Sequence, residues 1–192
     1  MSAPAFDEGR WRRRAWLGLL VAASAALSMV YTCITPFAAF AVIGAASLSR
    51  WNAVAFTVVL WLTNQAVGYG VLDYPWTARG AAWGVALGGA AVVGTLAAHW
   101  TVSRLGAFRP SVRALGAFVP AFALYQLTLY AVAVSILGGT GAFVPAIVGR
   151  VLVVNALTLV CLHGLGQLMT AGRYPALAHH RSSREEAAGT AR

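Results

Sequence analysis

The sequence predicts an all-α, polytopic membrane protein, a compact bundle of six transmembrane helices with both termini in the cytoplasm. Long uncharged runs fill most of its 192 residues, turn residues interrupt the longest runs, and the arginines gather between and beside them. A bilayer core of about 30 Å needs roughly 20 apolar residues per crossing helix. The uncharged runs supply that length at 15–49, 53–72, 80–103, 114–149 and 151–172.

The first run is too long for one ordinary span, and a break in "VYTCITPF" near Tyr31–Pro36 predicts helices at 15–31 and 34–49. The next two runs predict helices at 53–72 and 80–100. Glycine and proline in "LGGTGAFVP" at 137–145 predict a turn that separates helices at 114–137 and 143–170.

Arginine placement tests this helix count independently, because basic residues concentrate in cytoplasmic loops. The chain has no lysine, so all 14 basic residues are arginines. Six spans leave only Arg79 and Arg150 on the outer side. A single helix over 15–49 would invert every later loop and translocate the arginines of 104–113, so five spans fit less well. The net charge of +9 therefore indicates contact with membrane lipid rather than nucleic acid.

The predicted organisation is a basic cytoplasmic tail at 1–14, a six-helix membrane domain at 15–172 and a disordered cytoplasmic tail at 173–192. Neither tail is long enough to form a core of its own. The segment "WRRRAWLGLL" resembles the start of a secretory signal. The apolar run continues beyond it, however, and we expect an uncleaved first span.

Polar residues at membrane depth indicate function, because each costs free energy unless it has a partner. In the six-span topology these residues converge on the outer half of the bundle. A loop at 72–80 adds the only carboxylate outside the tails. We expect substrate contacts from Asn64, Asp73, Tyr74, Trp76, Tyr130, Arg150 and Asn155.

Four of these residues have alternative assignments. Tyr74 and Trp76 also fit an interfacial aromatic belt at a helix end. Arg150 either turns inward, to pair with Asp73 or an anionic ligand, or extends outward to lipid headgroups. Asn64 and its neighbour Gln65 point about 100° apart on a helix, so we expect only one to face a central site.

The sequence lacks the motifs of the common enzyme and metal classes. Its four histidines are scattered without zinc spacing, and no paired carboxylates lie in the membrane segments. We therefore expect neither an enzyme, nor a metal site, nor a bound cofactor. Cys161 fits a small apolar residue in the last helix, whereas Cys33 lies at the outer end of the first hairpin, within reach of a ligand.

Small residues spaced four apart form faces on which helices approach closely. The pairs are Ala22 with Ala26, Ala41 with Ala45, Gly84 with Gly88, and Ala90 with Gly94. Such faces serve either packing within the bundle or docking of another membrane subunit, and spacing alone does not distinguish the two.

The stretch "TPFAAFAVIGAASLSRWNAVAFTVVLWLTNQAVGYGVLDYP" at 35–75 resembles the early helices of the substrate-binding S-components of energy-coupling factor (ECF) importers. Both have a small-residue helix, an arginine-bearing turn, and a helix that ends in polar residues and a loop. The resemblance extends to size and layout over most of the chain.

That resemblance implies a substrate-binding subunit in the bacterial cytoplasmic membrane, for uptake of a vitamin or vitamin precursor. It also implies a transmembrane coupling subunit and a pair of ATP-hydrolysing subunits as partners, with Ala22, Ala26, Ala41 and Ala45 as the docking face. "MSAPAF" lacks the N-terminal histidine motif of the metal-binding members. Some cobalamin-binding members use a cysteine, for which Cys33 is the candidate. The alternative is a structural or assembly membrane protein without a small ligand.

Overall fold

A computed structural model describes residues 8–31 and 35–171. Cys33, the first half of the predicted N-terminal tail and the whole of the predicted C-terminal tail lie outside these residues. The described part contains six α-helices and no strand, which confirms the all-α, six-helix prediction. The α-helices are α1 (Glu8–Tyr31), α2 (Phe37–Ser47), α3 (Arg50–Gly70), α4 (Ala78–Arg104), α5 (Pro110–Val132) and α6 (Pro145–Ala171), with a π-helical turn at Ala133–Leu137 and a 3₁₀ turn at Thr140–Phe143.

Three helical stretches are long and apolar enough to cross a membrane: Ala78–Arg104, Pro110–Leu137 and Pro145–Leu168. The apolar part of α1, Ala15–Leu27, is shorter. α2 was predicted at 34–49 as a span, yet it has only 11 residues. It is therefore about 16 Å long at 1.5 Å per residue, roughly half of a bilayer core. α2 does not reach across a membrane by itself.

α2 is the central helix of the bundle. Every residue from Phe37 to Ala45 is buried, and it packs against α3, α4 and α5. A helix that is apolar on all sides is stable only when other helices or lipid cover every side. Here the protein's own helices provide that cover.

α2 and α3 form a tight antiparallel hairpin. At the turn, the amide of Leu48 donates to the Gly44 carbonyl at 2.9 Å and ends α2, and the amide of Ala53 donates to the Ser49 carbonyl at 2.8 Å and begins α3. Gly44 lies so close to α3 that a β-carbon there would be 3.3 Å from the ring of Phe56. This register brings the start of α2 level with the last third of α3.

α3 and α4 also pack closely, through the predicted small-residue face of α4. The indole of Trp61 lies over Gly88, and its Nε1 donates to the Gly84 carbonyl at 2.8 Å. One turn further into the bundle, the hydroxyls of Thr57 and Thr95 are 2.7 Å apart. Because Thr95 donates its proton to the Ala91 carbonyl, Thr57 is the donor between the helices.

The antiparallel order of α3, α4 and α5 gives the bundle two chemically different ends. One, the arginine end, lies where α3 begins, α4 ends and α5 begins, and carries Arg50, Arg104, Arg109 and Arg113. The opposite Asp73 end lies where α3 ends and α4 begins. There the chain leaves the π-helical turn through Gly138 and Gly139, whose φ angles of 70° and 88° favour glycine.

The chain divides within α6 into two compact units, residues 1–159 and 160–192. In the second unit the described residues form the last part of α6, where Nε2 of Gln167 and Nε2 of His163 are 2.8 Å apart.

We predict that Gly88→Ala destabilises the protein and that Gly89→Ala does not. A β-carbon at Gly88 would lie 2.7 Å from Cε2 of Trp61, a ring already held by its bond to Gly84. The clash costs about 1–3 kcal/mol. Gly89 has open space around it, so alanine there gains up to about 1 kcal/mol of helix propensity.

Thermal unfolding in detergent, followed by tryptophan fluorescence, measures both variants against the wild type. Equal melting temperatures for the two alanine variants would contradict the observed α3–α4 packing.

Candidate functional site

The start of α2 lies inside the protein and not at its surface. Asn64, which bonds Thr35 just before α2, is about 21 Å along α3 from Arg50 at 1.5 Å per residue. Asn155, which bonds the first turn of α2, is about 15 Å along α6 from Pro145 by the same measure. A helix therefore begins deep within an apolar bundle, where its first amides need acceptors from outside the helix.

All four amides of the first turn of α2 are hydrogen-bonded, although Pro36 at the N-cap offers no side-chain bond. The amide of Phe37 donates to the Thr35 carbonyl at 2.8 Å, and that of Phe40 to the Pro36 carbonyl at 3.2 Å. The amides of Ala38 and Ala39 both donate to Oδ1 of Asn155, at 3.1 and 3.3 Å. A residue from the far end of the sequence thus caps the buried helix.

Asn155 is fully engaged in this role. It is 1 % exposed, and its Nδ2 donates to the Val151 carbonyl of its own helix at 2.9 Å. The oxygen of the amide therefore meets donors, and the nitrogen meets an acceptor. As a substrate contact, predicted from its depth alone, Asn155 would have to exchange one of these bonds for a bond to the ligand.

Asn64 and Gln65 extend the polar cluster on the α3 side. Nδ2 of Asn64 donates to Oγ1 of Thr35 at 2.6 Å, and Nε2 of Gln65 donates to Oδ1 of Asn64 at 3.3 Å. Gln65 also packs on α4, since a β-carbon at Gly84 would be 2.6 Å from its Oε1. Thr35, Asn64, Gln65 and Asn155 together surround the beginning of α2, and we call them the α2 cap cluster.

Tyr125 lies next to this cluster, and the sequence reasoning missed it. Its ring is 6.1 Å from that of Phe37, the first residue of α2, and the residue is only 6 % exposed. Its hydroxyl has no hydrogen bond to any described residue, although buried tyrosine hydroxyls usually find a partner. The signal available in the sequence was a tyrosine beside Gln126 in the middle of an apolar helix.

Aromatic rings dominate the Asp73 end. Tyr69 is 4.5 Å from Trp76 between ring centroids, and 6.3 Å from Tyr74 in an edge arrangement. Tyr74 packs on Gly68, where a β-carbon would be 2.8 Å from its ring. Trp76 is 82 % exposed. The structure thus brings the predicted Tyr74 and Trp76 together through Tyr69, which was not predicted.

Asp73 projects from the same segment. Its φ of 51° is left-handed, a conformation in which aspartate is enriched among non-glycine residues. The amide of Tyr74 beside it donates to the Gly68 carbonyl at 3.0 Å and ends α3. Asp73 is exposed and forms no ion pair among the described residues.

The two arginines of the Asp73 end have different surroundings. Arg79 donates through Nη2 to the Leu137 carbonyl at 2.7 Å, which ties the start of α4 to the end of the π-helical turn. Arg150 is exposed and has no hydrogen bond or ion pair to the described residues. The expected pairing of Arg150 with Asp73 is thus not formed in this structure. Tyr130 is 47 % exposed and meets Phe143 edge-on at 5.4 Å.

The predicted docking alanines fall into two classes. Ala22 and Ala26 are exposed on α1. Ala41 and Ala45 are buried in α2 beneath the protein's own helices, so a partner reaches them only if α2 is uncovered.

In residues 8–31 and 35–171, no group of three histidine, cysteine or acidic side chains is arranged to hold a metal ion. Cys161 is a free, exposed thiol.

Comparison with known proteins gave no match to any protein-family model, curated protein sequence or solved structure.

We predict that Asn155→Leu destabilises the protein, because leucine has nearly the same size but leaves the amides of Ala38 and Ala39 unpaired in an apolar interior. Each unpaired amide costs about 1–3 kcal/mol. Thr158→Val is the matched control on α6, since Thr158 bonds only the Val154 carbonyl of its own helix.

Chemical unfolding in detergent measures both variants, and amide hydrogen exchange tests the location of the damage. We expect Asn155→Leu to accelerate hydrogen exchange selectively at the amides of Ala38 and Ala39. A uniform change along the chain, or equal loss in Thr158→Val, would contradict the capping role.

Proposed function

We propose that this protein is the membrane-embedded solute-binding subunit of an importer for a small molecule of the vitamin or vitamin-precursor class. In this proposal it lies in the bacterial cytoplasmic membrane with the Asp73 end facing outward. The arginine end faces the cytoplasm, following the bias of basic residues toward that side.

The main support for the proposal is a set of exposed aromatic and charged side chains at the Asp73 end. An exposed indole lies on Tyr69 beside a carboxylate that has no ion pair among the described residues. Such a surface offers stacking area for a planar or apolar ligand and one negative charge for a hydrogen-bond donor or a cation. Tyr130 and Arg150 provide further exposed groups at this end.

Below this surface, the α2 cap cluster and the hydroxyl of Tyr125 supply polar groups without formal charge. The hydroxyl of Tyr125 has no hydrogen bond to a described residue, so it is a candidate partner for a polar group of the ligand. We therefore expect the ligand's stacking and charged contacts at the Asp73 end, and only neutral hydrogen bonds deeper in the bundle.

No energising machinery is evident in the sequence, so import requires partners. The resemblance to ECF S-components suggests a transmembrane coupling subunit and ATP-hydrolysing subunits. The exposed small-residue face of α1, with Ala22 and Ala26, is the accessible part of the predicted docking face.

A structural or assembly role without a small ligand is the second candidate, and the deep polar contacts favour it. Asn155 bonds the first turn of α2, Asn64 bonds Thr35 just before α2, and Trp61 bonds Gly84 of α4. Polar residues in membrane bundles often serve only to join helices. The exposed and unpaired groups of the Asp73 end are what this candidate leaves unexplained.

We predict that the protein, purified gently from its own membrane, carries a stoichiometric small molecule that native mass spectrometry detects. Trp76→Ala removes the stacking surface and is expected to weaken ligand binding about two- to tenfold, since aromatic contacts contribute about 0.5–1.5 kcal/mol. Asp73→Asn removes the charge while keeping a residue that tolerates a left-handed φ.

Trp51→Ala is the control for both variants, because Trp51 is also exposed but lies at the arginine end. Absence of any ligand, together with a vitamin panel that leaves the melting temperature unchanged, would favour the structural role. Equal ligand loss in Trp51→Ala and Trp76→Ala would also contradict a site at the Asp73 end.

A further inference from the structure

The arginine end carries positive charge for which residues 35–171 provide no carboxylate nearby. Arg104 ends α4, Arg109 immediately precedes α5, and Arg113 follows one turn later. None of these three guanidinium groups has a hydrogen bond or ion pair among the described residues. Asp73, the only carboxylate in residues 35–171, lies at the opposite end.

A short, hydrogen-bonded turn joins α4 to α5 and carries these arginines on both of its sides. The amide of Phe108 donates to the Leu105 carbonyl at 3.0 Å, and the amide of Arg113 donates to the Arg109 carbonyl at 3.0 Å. A β-carbon at Gly116 would be 2.6 Å from Leu105, so the two helices meet tightly behind the turn. The Nε of Arg113 is buried and has no hydrogen-bond partner.

Exposed apolar side chains flank the turn on both helices. The guanidinium of Arg104 lies 4.9 Å from the ring of Trp100. Trp100 and Phe108 are both exposed, as is Val112 at the start of α5. The antiparallel register of α3 and α4 adds a second such pair at this end, with Arg50 4.7 Å from the ring of Trp51.

We propose that the α4–α5 turn binds the phosphate of an anionic phospholipid through Arg104, Arg109 and Arg113, with an acyl chain beside Trp100 and Phe108. Guanidinium groups match phosphate oxygens bidentately, and the exposed apolar residues match the lipid's hydrocarbon. Three cations, with the only carboxylate of residues 35–171 at the opposite end, favour a lipid of net negative charge, since each basic residue near an anionic surface gains about 1 kcal/mol. The site does not depend on the proposed solute-binding function.

The test compares phosphatidylglycerol with phosphatidylcholine, each titrated into the full-length protein in detergent and followed by native mass spectrometry. We expect the wild type to bind phosphatidylglycerol about tenfold more tightly than phosphatidylcholine, which corresponds to one or two well-placed basic contacts. Equal affinity for the two lipids would overturn the proposal. Displacement of the lipid by millimolar inorganic phosphate would assign the site to a free anion instead.

Lysine substitution separates a phosphate site from the general bias of positive charge toward the cytoplasm. The triple variant Arg104→Lys, Arg109→Lys, Arg113→Lys keeps every charge but loses bidentate geometry, and we expect it to lose at least half of the preference for phosphatidylglycerol. Arg79→Lys is the control at the opposite end, where Arg79 already donates to the Leu137 carbonyl, and should bind as the wild type does. A triple variant with undiminished preference, or an equal loss in Arg79→Lys, would overturn the site.

If the triple variant does not fold, the single variants Arg109→Lys and Arg113→Lys carry the same test. Each is expected to weaken phosphatidylglycerol binding while leaving phosphatidylcholine binding unchanged. Unchanged phosphatidylglycerol binding in both would contradict the proposal.

Discussion

The bond between Oδ1 of Asn155 and the first amides of α2 is the interaction on which the rest of the structure depends. A helix that begins inside an apolar bundle exposes amides that water cannot reach, and each unpaired amide costs free energy. Pro36 and Thr35 satisfy two of these amides through their carbonyls, but the other two need an acceptor from elsewhere. Asn155 provides it, and in doing so joins α6 to the centre of the fold.

The surrounding helices follow from a short, fully buried α2. Because α2 is covered on all sides, its neighbours have to approach one another closely, and glycine makes that approach possible along α4. Side chains of α3 pack directly on Gly84 and Gly88. Gly94 packs against α5 so closely that a β-carbon there would be 3.1 Å from the Ala121 carbonyl oxygen. The hydroxyl pair of Thr57 and Thr95 then bonds α3 to α4 at a depth where no charged group lies nearby in sequence.

Charge patterning and helix-breaking residues were sufficient to predict the six helices and their approximate bounds. They also identified the polar residues of the interior, because Asn64 and Asn155 are conspicuous in apolar runs. Hydropathy could not reveal that α2 is a short central helix, since an apolar residue facing lipid and one facing another helix have the same hydropathy. Nor could spacing along one helix pair Asn155 with Ala38, which is 117 residues away in the chain.

At the Asp73 end, the sequence pointed to the loop but not to the ring that organises it. Tyr69 lies within α3, so only the fold shows that it stacks on Trp76. The same limit applied to Asp73 and Arg150: opposite charges suggested an ion pair, whereas the helix-ending conformation of Asp73 leaves its carboxylate exposed. The two ends of the bundle thus present different surfaces, an aromatic one with a single carboxylate and a basic one.

Carbene photolabelling from the lipid phase tests most directly whether α2 is the buried centre of this protein. A lipid-soluble diazirine is activated in membranes that contain the wild-type chain, and modified residues are located by mass spectrometry, with the denatured chain as a control for detection. We expect the carbene to modify exposed residues such as Val85 and Val119 and to modify no residue between 37 and 45. If Phe37 or Phe40 were modified as strongly as Val119, α2 would face lipid and would not be the buried centre of the protein.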